Sequence, residues 1–341
     1  MDEKWQFDSQ VIRQVAEDIY FLRQKWYCCL VVSSGACALG KNLLKHHDQS
    51  TLTNQITASI GQPFLMKIYQ EIFSQYDMTV SQALLTRFDF SNKDTYASIQ
   101  SVLQKQCELG IVPIINENDV VANDEIIFSD NDQLAAFVAI MLGAGKLILL
   151  SNITWLHTHH PDEGGKIIHN VEKIDDTVFW YVSKKKSGFG RGGMYSKLIS
   201  AQTATYSGID VVLWEGKRPH VIRDIIGNEK IGTSFHKNPV SRKKTQMESW
   251  IQAGALPKGK IVVNACLSDL LQQKKRISIL EIGILEASGD CEVGDLLEVC
   301  DTDGKVLGKW LARISKKEFK KYKTSEKSQV VIHANYFVYT K

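Results

Sequence analysis

Apolar runs and helix-period patterns alternate along the first two thirds of the chain. Gln10 to Lys25 carries apolar residues at the three- and four-residue spacing of an amphipathic helix. Cys28 to Val32 is a short apolar run that reads as a buried strand, and it ends in Ser33-Ser34-Gly35. Helix returns over Ala36 to Leu44 and over Thr51 to Tyr76, where Pro63 marks a possible break. The pattern continues with a strand over Met78 to Thr86, a helix over Asn92 to Leu109, a strand over Ile111 to Ile115, and a helix over Asp132 to Leu142. It closes with a strand over Lys146 to Leu150, a helix over Met194 to Ser207 and a strand over Ile209 to Leu213. This alternation predicts an α/β fold, a mostly parallel sheet sandwiched by helices. Ligands of such sheets bind beyond the carboxyl ends of the strands. Ser33-Ser34-Gly35, Asn116-Glu117-Asn118-Asp119 and Ser151-Asn152 all fall there.

The pattern changes after Phe235. His236 to Leu256 is mostly polar and reads as a linker with a short helix, and residues 257–341 read as a small, mainly β domain. Asp301-Thr302-Asp303-Gly304-Lys305 is a hairpin turn between Leu296–Cys300 and Val306–Ala312. The expected division is therefore 1–235, a linker over 236–256, and 257–341.

Composition narrows the class. Apolar residues make up 44% of the 341 and charged residues 23%, as in ordinary globular protein. No run reaches the roughly 20 apolar residues of a membrane span, and the opening Met1-Asp2-Glu3-Lys4-Trp5-Gln6 has no signal-peptide core. The expected setting is cytoplasmic. Seven cysteines without a Cys-x-x-Cys pair suggest reduced thiols rather than a zinc site or a disulfide framework. Residues 241–341 hold 18 Lys+Arg against 12 Asp+Glu, whereas the first 240 hold 23 against 26. A basic C-terminal part is compatible with RNA binding and equally with a solvated lysine face.

The chemistry concentrates in three places. Asn116-Glu117-Asn118-Asp119 and Ser129-Asp130-Asn131-Asp132 supply carboxylates and carboxamides suited to an ammonium group, to a metal–nucleotide centre, or simply to helix capping. Gly188-Phe189-Gly190-Arg191-Gly192-Gly193 leads into Met194-Tyr195-Ser196-Lys197, a glycine loop that opens a helix and presents a lysine to an anion. Ser34-Gly35 offers a hydroxyl and free N–H groups at another helix start. Lys184-Lys185-Lys186 suits phosphates or solvent alike, and His157-Thr158-His159-His160 reads as a surface loop because its spacing fits no zinc pattern.

Together these residues resemble the bacterial glutamate 5-kinases of the amino acid kinase superfamily. The similar segments are Leu30 to Ala36, Leu84 to Arg87, Ile111 to Asp119, Asp130-Asn131-Asp132, Gly192-Gly193-Met194 with Lys197, and Gly208-Ile209-Asp210. The last 85 or so residues resemble a PUA domain, a module of a size that folds by itself. The resemblance implies ATP-dependent phosphorylation of the L-glutamate side chain, the first step of proline biosynthesis. It gives Ser34, Asp119 and Asn131 to glutamate. It gives Ser151, Asn152, Arg191, Gly192, Gly193, Met194, Tyr195, Ser196 and Lys197 to ATP. Lys197 and Asp132 become the catalytic pair, the lysine neutralising the transferred phosphoryl group and the aspartate orienting it. No protein metal site is implied; Mg2+ bridges the nucleotide phosphates. Proline as a feedback inhibitor, a homo-oligomer, and RNA at the PUA-like domain are further implications.

The chain departs from the family in several positions. Its relatives open with an apolar strand ending in Lys-x-Gly-Ser, which this chain lacks on this reading. Asn152 stands where an Asp is usual, Ser129 where a Gly is usual, and Arg191 and Tyr195 replace small residues. The same residues therefore also fit a ligand-binding homologue without turnover, or an RNA-binding protein.

Overall fold

The computed structural model describes residues 9–44, 50–121, 130–151, 156–158, 165–183, 194–227, 229, 231–238, 251, 257–273, 277–289, 296–312, 315, 318, 330–332 and 337–339. It forms two compact units, Met1–Lys243 and Lys244–Lys341.

The first unit opens with α1 (Ser9–Arg23), which buries Ile12, Ala16, Ile19 and Leu22 on one face. It continues through β1 (Val31–Val32), α2 (Ala36–Leu44), α3 (Thr51–Ser74), β2 (Val80–Leu85), α4 (Arg87–Ser91), α5 (Lys93–Glu108), β3 (Val112–Glu117), α6 (Asn131–Leu142) and β4 (Lys146–Ser151). After these come β5 (Leu156–His157), β6 (Ile167–Ile168), β7 (Asn170–Val171), α7 (Asp176–Ser183), α8 (Met194–Tyr206), β8 (Asp210–Glu215), α9 (Val221–Ile226) and β9 (Thr233–Phe235).

Two sheets carry the unit. One has the order β1-β3-β2 and is parallel throughout, with Val31 opposite Ile114 and Val80 opposite Val112. The other has the order β4-β8-β9-β7, parallel at β4–β8 and β7–β9 and antiparallel at β8–β9. The expected mostly parallel α/β architecture is present. The helix α6 packs against β1, β3, β4, α5 and α8. Its residues from Leu134 to Met141 are buried on every side, so it lies inside the unit rather than on it.

One device repeats at the ends of α1, α3, α5, α6 and α8. The residue just past a left-handed position returns its N–H to a carbonyl five residues back: Tyr27 to Leu22, Met78 to Phe73, Ile111 to Gln106, Ala144 to Ala139 and Ile209 to Ala204. Gly110, Gly143 and Gly208 take the left-handed position in three of these, while Trp26 (φ 65°) and Asp77 (φ 53°) take it in α1 and α3. Each stop turns the chain towards the strand that follows.

Four expectations need correction. Pro63 does not break its helix; α3 runs unbroken from Thr51 to Ser74 because buried Gly61, Gln62, Leu65 and Met66 hold both sides of the proline in the core. The strand expected over Cys28 to Val32 shrinks to Val31–Val32, where β3 supplies a ladder. His157 is not in a loop but in β5, paired with Ile167. The thiols are not all reduced: Cys28 and Cys107 form a disulfide with their Cα atoms 5.6 Å apart. Packing of α5 beside the chain before β1 joins cysteines 79 residues apart, which spacing in the sequence does not reveal.

An ion-pair network around the buried Asp18 ties α1 to α9. Asp18, with its side chain 1% exposed, accepts from Arg223 Nε at 2.6 Å and from the Ile222 N–H at 2.9 Å. Glu17 takes the Arg223 Nη2 group at 2.7 Å.

The second unit holds β10 (Gly259–Val263), α10 (Ala265–Gln272), β11 (Ile279–Leu280), a 3-10 turn (Glu281–Gly283), β12 (Ile284–Gly289), β13 (Leu296–Cys300), β14 (Val306–Leu311), β15 (Val330–Ile332) and β16 (Phe337–Tyr339). A five-stranded sheet of order β12-β10-β13-β14-β16 surrounds a core centred on the fully buried Trp310. The expected hairpin joins β13 to β14: Asp301 accepts from the N–H groups of Asp303 and Lys305, and Gly304 takes φ 83°.

Candidate active site

The site lies at the carboxyl ends of β1 and β3. Helices α2 and α3 cross there with their backbones in contact. A Cβ at Gly61 would lie 1.9 Å from the Ala36 carbonyl oxygen, and one at Gly40 would lie 1.7 Å from that of Thr57. Only glycine at both positions permits this approach. It brings Gln62 and Tyr69 of α3 up to the ends of β3 and β1.

Hydrogen bonds then link the sequence-predicted residues. Asn131, the first residue of α6, donates from Nδ2 to the Ser33 carbonyl at 2.7 Å and to Asn116 Oδ1 at 3.0 Å. Asn116 Oδ1 also accepts from the Glu117 N–H at 2.9 Å, and Asn116 Nδ2 donates to Gln62 Oε1 at 2.9 Å. Tyr69 donates from its hydroxyl to Ser33 Oγ at 2.9 Å, leaving Ser34 exposed at the rim. Asp119 is half-buried near Cys37 in the first turn of α2. Burial raises the Asp119 carboxyl above its ordinary range, and burial together with the Asp119 charge raises the Cys37 thiol.

One residue along α6, Asp132 accepts from Lys197 Nζ at 2.6 Å. Both side chains are largely enclosed, at 19% and 15% exposure. Burial raises the Asp132 pKa most; the Lys197 hydrogen bond and charge pull it back, and Asp130 pushes it further up. Asp130 itself caps α6, accepting from the Gln133 N–H at 3.1 Å, so the capping role fits it. Two functions thus meet in one helical turn: Asn131 turned towards the amide cluster and Asp132 holding an ammonium group.

Ser151 ends β4, its carbonyl accepting from the Gly216 N–H at 2.9 Å. Met194 opens α8, and the Tyr195 ring stands 5.3 Å from that of Phe179, 39% exposed, rather than in the core. Ser196 follows in the same first turn. Asn152, Arg191, Gly192 and Gly193, like Ser129 and Lys184 to Lys186, lie outside the described residues. Among the described residues no group of three or more His, Cys, Asp and Glu is placed to hold a metal.

Sequence reasoning did not single out Gln62 or Tyr69, which the structure joins to the cluster. An amide between Gly61 and Pro63 inside an apolar helix breaks local rules twice, and that was the available signal for Gln62. Arg87, next to the end of β2, has its guanidinium pKa lowered by burial, and its Nε has no partner among the described residues.

Comparison with known proteins fits this arrangement. The amino acid kinase family matches residues 5–214, and the PUA domain matches residues 259–334. The chain belongs to the amino acid kinase family and carries a PUA domain after its kinase part. Relatives that it matches within that family include glutamate 5-kinases. That of Synechococcus sp. (strain JA-3-3Ab) is 34% identical over 326 residues, covering 94% of this chain and 86% of the relative. Those of Photobacterium profundum and Shewanella oneidensis are 34% and 35% identical, covering 91% and 90% of this chain and 81% and 83% of theirs. Among the described residues no helix is long and apolar enough to cross a membrane.

Proposed function

We propose that the chain transfers the γ-phosphoryl group of ATP to the side-chain carboxylate of L-glutamate, giving glutamyl 5-phosphate for proline biosynthesis. The observation that carries this reading is the adjacency of Asn131, in the amide cluster, and Asp132, bound to Lys197. Ser34, Asp119 and Asn131 hold glutamate, with the half-buried Asp119 carboxylate and Asn131 Oδ1 facing the ammonium group. A side-chain carboxylate oxygen attacks the γ-phosphorus in line, the bond to the bridging oxygen breaks, and ADP leaves. Charge spreads over the phosphoryl oxygens as this happens, and the Lys197 ammonium, held by Asp132, neutralises it. No covalent enzyme intermediate is required, so positioning and charge carry the catalysis.

Ser151, Asn152 and Arg191 to Lys197 hold the nucleotide, and Mg2+ enters as the counter-ion of its phosphates. Feedback by proline, a homo-oligomer, a cytoplasmic setting and RNA at the PUA domain belong to the same reading. The names of the relatives favour catalysis over a non-catalytic ligand-binding role or a purely RNA-binding one.

The test is ATP- and Mg2+-dependent glutamyl hydroxamate formation by the full chain, with Lys197→Ala beside it. Loss of one aimed charge lowers kcat by about 10²- to 10³-fold. A folded wild-type chain that forms no hydroxamate, or a variant as active as wild type, overturns the proposal.

A further inference from the structure

The amide cluster has a polarity, and fixed groups at two points set it. The Ser33 carbonyl can only accept, so the Asn131 group facing it is Nδ2. That same Nδ2 reaches Asn116, whose facing atom must be Oδ1, and the Glu117 N–H donates to the same oxygen. The Asn116 Nδ2 group is thereby turned to Gln62, which must answer with Oε1. The orientations of all three amides follow without choice.

This chain leaves two loose ends. Gln62 Nε2 and Asn131 Oδ1 are both buried, and neither has a hydrogen-bond partner among the described residues. One is an unsatisfied donor and the other an unsatisfied acceptor. Buried polar groups are ordinarily paired, so a matched pair of orphans at the two ends of one relay calls for a ligand. A ligand that satisfies both carries an acceptor and a donor a few bonds apart, as the carboxylate and ammonium of an α-amino acid do.

We propose that Gln62 determines specificity for the α-carboxylate of the substrate: its Nε2 donates to that carboxylate while its Oε1, through Asn116, holds Asn131 Oδ1 towards the α-ammonium. This rests on the glutamate reading above and adds the residue that tells an α-amino acid from an analogue lacking the acid. The backbone contact at Gly61 and the ring of Pro63 flank Gln62 and fix where its side chain starts.

The test exchanges donor for acceptor on both partners. Gln62→Glu keeps an oxygen for Asn116 and replaces the free donor with a carboxylate oxygen. L-glutamate then meets a like charge. L-isoglutamine, whose α-acid is a carboxamide and whose side-chain carboxylate is intact, offers N–H groups to it. The expected result is a fall of about 100-fold in kcat/KM for L-glutamate, carried by KM, and a preference shifted towards L-isoglutamine by at least that factor. The KM for ATP stays as in wild type. Gln62→Met, which removes both functions in a similar volume, weakens L-glutamate without favouring L-isoglutamine, and calorimetric titration of both ligands reads the same preference without turnover. Equal losses for the two ligands in Gln62→Glu would mark Gln62 as structural only and overturn the inference, as would unchanged L-glutamate binding. A wild-type chain that binds no L-glutamate removes the functional reading and this inference with it; wild-type binding beside an indifferent variant removes the inference alone.

Discussion

Replacing Gly61 with alanine tests the crossing that builds the site. The added Cβ would lie 1.9 Å from the Ala36 carbonyl oxygen and 2.7 Å from the Gly40 nitrogen. Carbon and oxygen in contact stand about 3.3 Å apart, so the two helices must part by more than about 1 Å. Both obstacles are backbone atoms inside helices and cannot rotate aside. Overpacking of this kind costs about 3 kcal/mol, the upper end of its usual range. Alanine returns about 1 kcal/mol through its helix propensity, leaving a net loss near 2 kcal/mol. For a unit of this size that lowers Tm by about 4–8 °C. Gly145→Ala is the control, since nothing lies within 4 Å of a Cβ there and its φ is outside the left-handed region. It should leave Tm unchanged or raise it slightly. Scanning calorimetry on the full chain reads both, with L-glutamate added to identify the transition of the kinase unit. The parting of α2 from α3 also moves Gln62 away from Asn116, so the KM for glutamate rises in Gly61→Ala and not in Gly145→Ala. A Gly61→Ala chain that melts with wild type would refute the backbone contact and the placement of Gln62 built on it.

Three more outcomes follow from the structure. Arg223→Ala leaves Asp18 buried without its arginine partner and should cost about 3–5 kcal/mol in denaturant unfolding, against less for Arg218→Ala, whose pairs with Asp224 and Glu229 are more exposed. Asp119→Asn should stabilise the empty chain at neutral pH while abolishing glutamate binding. Burial raises the Asp119 pKa in the folded state, so its ionised form opposes folding at pH values above that raised pKa, and the penalty vanishes below the unfolded value. The stability gap between variant and wild type must therefore narrow on acidification, and a gap that widens would reverse the assignment. Reducing the Cys28–Cys107 crosslink should lower stability by up to about 4.5 kcal/mol on the chain-entropy estimate for a 79-residue separation. Mass spectrometry with thiol labelling, with and without reductant, reads the bond directly, and Cys107→Ser should be insensitive to reductant.

The elements were legible where local pattern governs. Ala36–Leu44 and the hairpin at Asp301 to Lys305 appear as read, because period, cap and turn chemistry all act over a few residues. Pro63 misled because the local rule gave way to burial on both sides of it. The chemistry of Asn131, Asp132 and Lys197 was visible as motifs, and the pairing of Asp132 with Lys197 came from the family resemblance, whereas the partnership of Asn116 with Gln62 was not foreseen. Asp132 and Lys197 stand 65 positions apart, and Asn116 and Gln62 stand 54 apart. Such contacts come from helix crossing and sheet order, which a linear pattern does not carry. The disulfide and the Asp18–Arg223 pair were hidden for the same reason.

The enclosure of α6 has a consequence for how the site comes into being. Its neighbours belong to both sheets, β1 and β3 in one and β4 in the other. A helix apolar on every side gains little by forming in water, so its docking awaits surfaces that arise only when both sheets have assembled. Asn131 and Asp132, at its first turn, are then expected to reach their partners late. Partly assembled chains in a cell would be unable to capture glutamate, and ligand added early in refolding should leave the rate unaltered while holding the finished state against unfolding.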